Sequence, residues 1–283
     1  MDFFKKIKKT KLIRKIKDLL PITFFRRFLY GRKYVSNIRK RVIKWLFISK
    51  EDTNFTYKLS EKNIQYLAQM ISFITNRDFH LVYSYIMEPI NDNILRDFII
   101  NKTKESKFRY KADYCVNFSR RLGWYCFARI MKPKVIVETG IDKGLGSVLL
   151  CRALQKNSEE GFSGRYYGTD INKDAGYLLD GVYKDFGEIL YGDSIESLKK
   201  FDKKIDIFIN DSDHSANYEY DEYVVIKDKL SSNGVILGDN CDGSDKLSQF
   251  SKEQNRYFCF FKEEPIDHWY PGGGIGISFT TIK

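Results

Sequence analysis

The stretch KPKVIVETGIDKGLGSVLLCRALQK (132–156) decides the fold of this chain. A short β-branched run precedes a loop with three glycines, and an apolar helical pattern follows the loop. A strand that enters a helix through such a turn is typical of a βαβ unit. Gly140, Gly144 and Gly146 would let backbone N–H groups approach a ligand at the helix N-terminus. The alternative is a glycine-rich turn that binds nothing.

The same alternation of strand and helix continues to the end of the chain. Further strands are predicted in RYYGTDI, GEILYGD, KIDIFIND and NGVILGDN, and helices in AGYLLDGVYKDF, SIESLKKF and NYEYDEYVVIKDKL. The tail adds two strands, RYFCFFKEEP and GGIGISFTTI. Short connections between alternating elements favour an α/β domain over residues 131–283, with a parallel sheet and helices on both faces.

Two helical regions precede this domain. Residues 51–130 form a helical region that we expect on the acceptor side of the site. Residues 1–50 carry seventeen of the 48 Lys and Arg residues and two of the 37 acids. Apolar residues from Phe3 to Leu20 recur at helical spacing, which predicts a basic amphipathic helix ending near Pro21. Through residues 1–33 this helix would bind an anionic membrane surface or an acidic partner. Alternatively, it packs on the domain and exposes its Lys face to solvent.

Composition narrows the class of protein. A chain of 283 residues with 43% hydrophobic and 30% charged residues is typical of a globular protein. Its five cysteines form no CxxC pair, which favours a reducing cytoplasm. We expect neither a transmembrane helix nor a secretory signal. No RNA- or DNA-binding module follows the basic segment, so nucleic acid is disfavoured as a partner.

Acidic residues at successive strand ends indicate which ligand the glycine loop binds. The glycine order fits neither the dinucleotide fingerprint nor a Walker loop. Glu138, just before the loop, would repel a pyrophosphate but attract a sulfonium cation. Asp170 ends the second strand, where a carboxylate accepts from both ribose hydroxyls of an adenosine. Asp193 follows the third strand, beside the expected adenine edge or as a helix N-cap.

Residues 133–240 resemble the class I S-adenosylmethionine-dependent methyltransferases in the order VETGxxxGxGS, GTD, GDS, IDIFINDSDHS and NGVILGDN. The subgroup it resembles is the macrocin- and catechol-type O-methyltransferases, with a D-x-D-H strand end. The resemblance implies a Rossmann-like doubly wound seven-stranded sheet with its last strand antiparallel. It also implies S-adenosylmethionine as cofactor, with the following contact residues: Glu138, Gly140, Gly144, Gly146, Ser147, Asp170, Asp193 and Asp211.

The same resemblance implies a metal and a base. Asp211, Asp239 and Asn240 match the positions that hold a divalent cation such as Mg²⁺, whose ligands are oxygens. His214 matches the base that collects the acceptor proton. Without a metal, Asp211 and Asp239 would cap the following loops, and His214 would be a structural histidine. Asp213 would orient His214, contact the metal through water, or cap the next helix.

These features predict an S-adenosylmethionine-dependent O-methyltransferase with metal assistance. A sugar hydroxyl is the preferred acceptor and a small phenol or polyketide-type hydroxyl the next. The basic N-terminus places the enzyme in the cytoplasm at the inner membrane face, in membrane-associated glycan assembly. Two alternatives remain open. One is a cephalosporin-hydroxylase-like reaction on the same scaffold, and the other is a non-catalytic module that binds membrane or RNA.

Overall fold

The strands predicted from the sequence pair into one mixed sheet. The computed structural model describes residues 20–51, 55–239 and 241–280. In chain order the strands are β1 (Lys58–Leu59), β2 (Val135–Thr139), β3 (Arg165–Asp170), β4 (Gly187–Tyr191), β5 (Ile205–Asn210), β6 (Leu230–Gly238), β7 (Tyr257–Lys262), β8 (Pro265–Ile266) and β9 (Gly274–Phe279). All except β1 and β8, which pair with each other, belong to a seven-stranded sheet.

The order of strands across this sheet is β4-β3-β2-β5-β6-β9-β7. Strands β2 to β6 run parallel, while β9 is antiparallel to both β6 and β7. The predicted sheet, with its last strand antiparallel, is confirmed. The parallel strands all end at one edge, so the loops that carry the predicted site residues open on the same side of the sheet.

In chain order the described helices are α1 (Leu20–Ile48), α2 (Glu61–Thr75), α3 (Phe79–Asn91), α4 (Asn93–Glu105), α5 (Arg121–Met131), α6 (Leu145–Glu159), α7 (Ser194–Lys200), α8 (Ala216–Ile226) and α9 (Lys246–Glu253). Helices α2 to α9 cover the two faces of the sheet. Because side chains alternate along a strand, Ile136 and Ile207 pack in the core under α2 to α6. Val137 and Phe208 pack in a second core under α7 to α9. Strands β2, β5 and β9 are therefore buried on both faces.

One predicted helix is wrong. The stretch AGYLLDGVYKDF (175–186) contains turns and a short 3₁₀ helix, Gly181–Phe186. Gly176 and Gly181 have positive φ angles of 79° and 56°, in the left-handed region that interrupts an α-helix. A Cβ atom on Gly176 would lie 2.2 Å from the Ile189 side chain, so the glycine also permits close packing on β4.

The helical region that precedes the sheet is built on capped helices. The Ser60 side chain accepts the N–H of Asn63 at 3.2 Å at the start of α2. The Asp78 carboxylate accepts the N–H of His80 at 2.9 Å at the start of α3. Residues 50–266 and 270–283 form one compact unit that contains these helices and the sheet. The described residues up to Ser49 form a second unit with Asp267–Trp269.

The second unit is built on α1. The amphipathic helix predicted from Phe3 to Leu20 falls almost entirely outside the described residues, and Pro21 is part of α1. The Trp45 and Trp269 rings meet edge to face at 5.5 Å. Among the described residues, no helix has the length and apolar content needed to cross a bilayer.

Candidate active site

A cavity of about 690 Å³ opens at the carboxyl ends of the parallel strands, in the unit that contains the sheet. Among the predicted site residues it is lined by Gly140, Asp170, Asp193, Asp211, His214 and Asp239. Pockets of a few hundred to about 1,000 Å³ are typical of small-molecule sites. Asp213 also lines it, and other lining residues were not singled out by the sequence analysis, including Phe55, Arg120, Asp142, Tyr218 and Tyr270.

The glycine loop leaves room where other residues would not fit. Gly140 has a φ of 76°, and a Cβ atom on it would lie 2.0 Å from the Asp211 carbonyl oxygen. A Cβ atom on Gly146 would lie 2.2 Å from Oε1 of Glu138. Gly144, with a φ of 85°, begins α6. Two of the glycines therefore hold neighbouring chain segments close together, and Gly140 itself faces the cavity.

Glu138 and Ser147 lie below the loop in the core. The Tyr166 hydroxyl donates to Oε2 of Glu138 at 2.5 Å and lies 2.7 Å from the Ser147 hydroxyl oxygen. Burial raises the pKa of the Glu138 carboxyl to about 8. Neither side chain is among those that line the cavity.

Asp170 and Asp193 face the cavity while they also fix their loops. Asp170 accepts the backbone N–H of Asp142 at 3.0 Å and that of Asn172 at 2.8 Å. Asp193 accepts the N–H of Glu196 at 2.9 Å, which is the helix N-cap considered from the sequence. Asp193 therefore caps α7 and lines the cavity at the same time.

Asp211 and Asp239 lie side by side at the strand ends. The Asp211 N–H donates to Thr139 O at 3.0 Å, and the Asp239 N–H donates to Asn210 O at 2.9 Å. The parallel ladder thus continues one residue past each strand and aligns the two acids. Asn240, the third predicted metal ligand, lies outside the described residues.

Two arginines approach these acids, and the sequence analysis missed both. Arg120 donates through Nε and Nη2 to the two oxygens of Asp239, with Nη2 to Oδ2 at 2.5 Å. Arg121 Nη2 lies 3.4 Å from Oδ2 of Asp211. Burial raises the pKa of the Asp211 carboxyl, while both guanidinium groups act in the opposite direction. Burial lowers the pKa of Arg120, but Asp211 and Glu263 outweigh it and the net shift is upward.

The loop from 211 to 215 presents His214 to the cavity. Asp213 accepts the N–H of Ser215 at 2.7 Å, which closes the turn before α8. Ser215 is the N-cap of α8, and among the described residues no side chain caps that helix, so the three roles considered for Asp213 stay predictions. Among the described residues, no group of three His, Cys, Asp or Glu side chains has the arrangement of a metal site.

A buried carboxylate beneath the site ties the strand ends together. Glu222 lies in α8 and is fully buried. It accepts hydrogen bonds from Thr139 at 2.9 Å and Ser212 at 2.8 Å, and from Ser194 and Asn210. The sequence contains one signal that Glu222 could be buried: it shares a helix with the large apolar residues Tyr223 and Ile226, which are buried. Glu222 positions the loops that follow β2, β4 and β5.

Comparison with known proteins agrees with this architecture. A family model described as a methyltransferase domain matches residues 137–241. That range includes Gly140, Asp170, Asp193, Asp211 and His214. No curated protein matches the sequence of the chain.

Solved structures share the fold at low sequence identity. A methyltransferase from Geobacter sulfurreducens has 18% identity and a TM-score of 0.50, with 65% of this chain and 90% of that chain covered. A cofactor-bound protein from MTB has 12% identity and a TM-score of 0.50, with 70% and 94% covered. An O-methyltransferase from Bacillus cereus in complex with SAH has 13% identity and a TM-score of 0.47, with 77% and 99% covered.

Proposed function

We propose that this chain, which carries a methyltransferase domain of the S-adenosylmethionine-dependent class, transfers a methyl group from S-adenosylmethionine to a hydroxyl oxygen of a small acceptor. The observation that carries the proposal is one cavity, at the carboxyl edge of the sheet, that contains both Asp170 and His214. The Asp170 carboxylate suits the ribose of a nucleoside donor, and the His214 imidazole can accept a proton.

The residues of the cavity fit the donor. Asp170 lies at the end of β3, where its carboxylate would accept the ribose hydroxyls. Asp193, after β4, would lie beside the adenine. Gly140 lets the loop pass close to the donor without a side chain in the way, because its left-handed backbone and the nearby Asp211 carbonyl exclude a Cβ atom. The similar protein from MTB was solved with its cofactor bound.

His214 would act as the base. S-adenosylmethionine supplies a methyl group on a positively charged sulfur. The acceptor O–H gives its proton to an imidazole nitrogen of His214, and the oxygen lone pair forms a bond to the methyl carbon. The C–S bond breaks and its electron pair stays on sulfur, so the product sulfide is neutral. Alignment of the oxygen, methyl carbon and sulfur provides much of the acceleration.

The predicted divalent cation does not fit the donor set of the described residues. Both oxygens of Asp239 already accept hydrogen bonds from Arg120, and Asp211 faces Arg121. A divalent cation at these carboxylates would lie beside two guanidinium groups and be repelled by them. We therefore assign no step of the reaction to a metal.

Two aromatic rings favour a flat acceptor face. Phe55 and Tyr270 line the cavity, and their ring centroids are 5.6 Å apart. Aromatic rings stack against the apolar face of a sugar or the ring of a phenol. We propose a sugar or other small-molecule hydroxyl as the acceptor.

We also propose that the N-terminal segment contacts an anionic membrane surface, at the cytoplasmic face. Helix α1 carries eight basic and no acidic residues. Phe24, Tyr30 and Phe47 expose 72%, 84% and 86% of their surfaces. Basic and aromatic residues on one helix are typical of interfacial binding. An acceptor in membrane-linked glycan assembly would follow from this location.

The experiment measures transfer of labelled methyl groups to the fractions of an extract from cells that contain this protein. Purified chain and methyl-labelled S-adenosylmethionine should label one small-molecule fraction. His214→Asn should lower that rate by roughly 10²- to 10⁴-fold, the scale of general base catalysis. His80→Asn, at the exposed start of α3, is the matched control and should leave it unchanged. No label in any fraction would contradict the activity, and an unchanged rate in His214→Asn would contradict the base.

A further inference from the structure

The start of α5 brings positive charge to the place where the sequence predicts a metal cation. Arg120 forms a two-point ion pair with Asp239, in which the side chains are 12% and 3% exposed. Two parallel N–H donors that match both carboxylate oxygens form the strongest geometry of such a pair. The pair joins residues from two parts of the chain, the N-cap of α5 and the end of β6.

The backbone before α5 fixes where the Arg120 side chain begins. Ser119 has a φ of 51°, in the left-handed region. Its hydroxyl accepts the N–H of Tyr57 at 3.0 Å and donates to Tyr57 O at 3.1 Å. These contacts hold the turn in place, because both donors and acceptors are buried and would cost free energy if left unpaired.

A second carboxylate holds Arg120 from the other side. Glu263 is buried, and its Oε2 accepts the Tyr57 hydroxyl at 2.7 Å and the Gly273 N–H at 3.1 Å. The distance from this oxygen to Nη1 of Arg120 is 3.9 Å. That distance is too long for a hydrogen bond, and no other described residue accepts from Nη1, so its N–H groups are the donors that we assign to a molecule in the cavity that Arg120 lines.

We propose, on the basis of the proposed function, that Arg120 supplies the positive charge beside the acceptor oxygen in place of a divalent cation. As the acceptor proton passes to His214, negative charge builds on the oxygen, and an Nη1 N–H of Arg120 donates to it. The oxygen then bonds to the methyl carbon, and the C–S electron pair returns to sulfur. A fixed donor that faces developing charge is worth about 10²- to 10³-fold in rate.

The test uses Mn²⁺ alone as the probe, followed by its paramagnetic resonance signal. The wild-type chain should leave the signal of free Mn²⁺ unchanged, because Arg120 already neutralises Asp239. Arg120→Met leaves Asp211, Asp239 and Glu263 without that charge, so it should take up about one Mn²⁺ per chain and lower the signal. The double variant with Asp239→Asn should lose this uptake.

Activity gives the second readout. With the labelled extract fraction, wild-type transfer should be unchanged by EDTA, and Arg120→Met should fall by about 10²-fold. Wild-type Mn²⁺ uptake that Asp239→Asn removes would overturn the proposal, and so would loss of wild-type transfer in EDTA. Arg120→Met that binds S-adenosylhomocysteine but takes up no Mn²⁺ would also overturn it. Arg120→Gln replaces Arg120→Met if the latter does not fold.

Binding of S-adenosylhomocysteine in the same samples separates the two proposals. If the wild-type chain binds it and also holds Mn²⁺ on Asp239, the role of Arg120 fails and the methyltransferase stands. If the wild-type chain does not bind it, the proposed function fails, and the role of Arg120 in methyl transfer falls with it.

Discussion

Glu138 is the buried carboxyl whose protonation state links the glycine loop to pH. Its folded-state pKa is about 8, raised from 4.5 mainly by burial, with the Tyr166 hydroxyl acting in the opposite direction. A raised carboxyl pKa means that the folded chain holds this proton more tightly than the unfolded chain. The stabilisation is therefore fully present below pH 4.5 and is lost as the pH rises through about 8.

This sign leads to a prediction for Glu138→Gln. The free energy of unfolding of the wild-type chain should fall between pH 5 and pH 9, and the glutamine variant should fall less. The difference should be on the order of 1 kcal/mol or more, since one pKa unit corresponds to about 1.4 kcal/mol. Urea titrations at several pH values measure it. Glu188→Gln, a half-exposed acid on β4, should keep the wild-type slope, and equal slopes in all three proteins would contradict the prediction.

Individual site residues differed in how far the sequence could predict them. Asp170 ends β3, and Asp193 and His214 lie in the loops after β4 and β5, so the strand pattern together with the family resemblance pointed to these residues. Arg120 could not be found in this way, because its partner Asp239 lies 119 positions along the chain. Ion pairs at such separation depend on how the helices dock, which no local pattern records. Ser147 stays a predicted contact of the ligand, and its side chain lies in the core beside Tyr166.

At the scale of elements, the spacing of apolar residues and the positions of glycines decided which strands and helices could be predicted. Strands β2 and β5 were marked by apolar, β-branched residues, because both faces of these strands are buried. The stretch from 175 to 186 misled for a related reason. Its apolar residues have helical spacing, but Gly176 and Gly181 adopt left-handed conformations that no α-helix accommodates. The pairing of β1 with β8 was also missed, since strands of two residues carry no period.

Helix α1 carries the prediction about membranes. The full chain should sediment with vesicles that contain phosphatidylglycerol, should do so less as salt is raised, and should remain in solution with phosphatidylcholine alone. Replacing four basic residues by Gln should release the chain from the anionic vesicles, because each contributes about 1 kcal/mol near such a surface. The four are Arg26, Arg27, Arg32 and Lys33.

The control for this experiment removes the same charge elsewhere. Lys173, Lys184, Lys200 and Lys203 are exposed lysines of the unit that contains the sheet. Their replacement by Gln should leave sedimentation nearly unchanged. Equal release by both sets would show a net-charge effect, and a wild-type chain that never sediments with anionic vesicles would contradict the membrane proposal.

At the scale of the whole molecule, the parallel sheet brings motifs that are separate in the sequence together at one site. Residues that are far apart in sequence, from Gly140 to Asp239, meet because parallel strands end at a common edge. The sequence predicted this architecture because the strands of the sheet and most of the helices between them agreed with the same fold. It could not predict the charge balance inside the cavity, since Arg120 and Arg121 come from the helical region outside the recognised motifs.

The most direct test of the account is calorimetric titration with S-adenosylhomocysteine. One molecule should bind per wild-type chain. Asp170→Asn should weaken binding by about 1–3 kcal/mol, the scale of hydrogen bonds to a charged group. Asp202→Asn, an exposed acid with 86% of its side chain accessible, should bind like the wild type. A folded wild-type chain that gives no heat of binding would contradict the central claim.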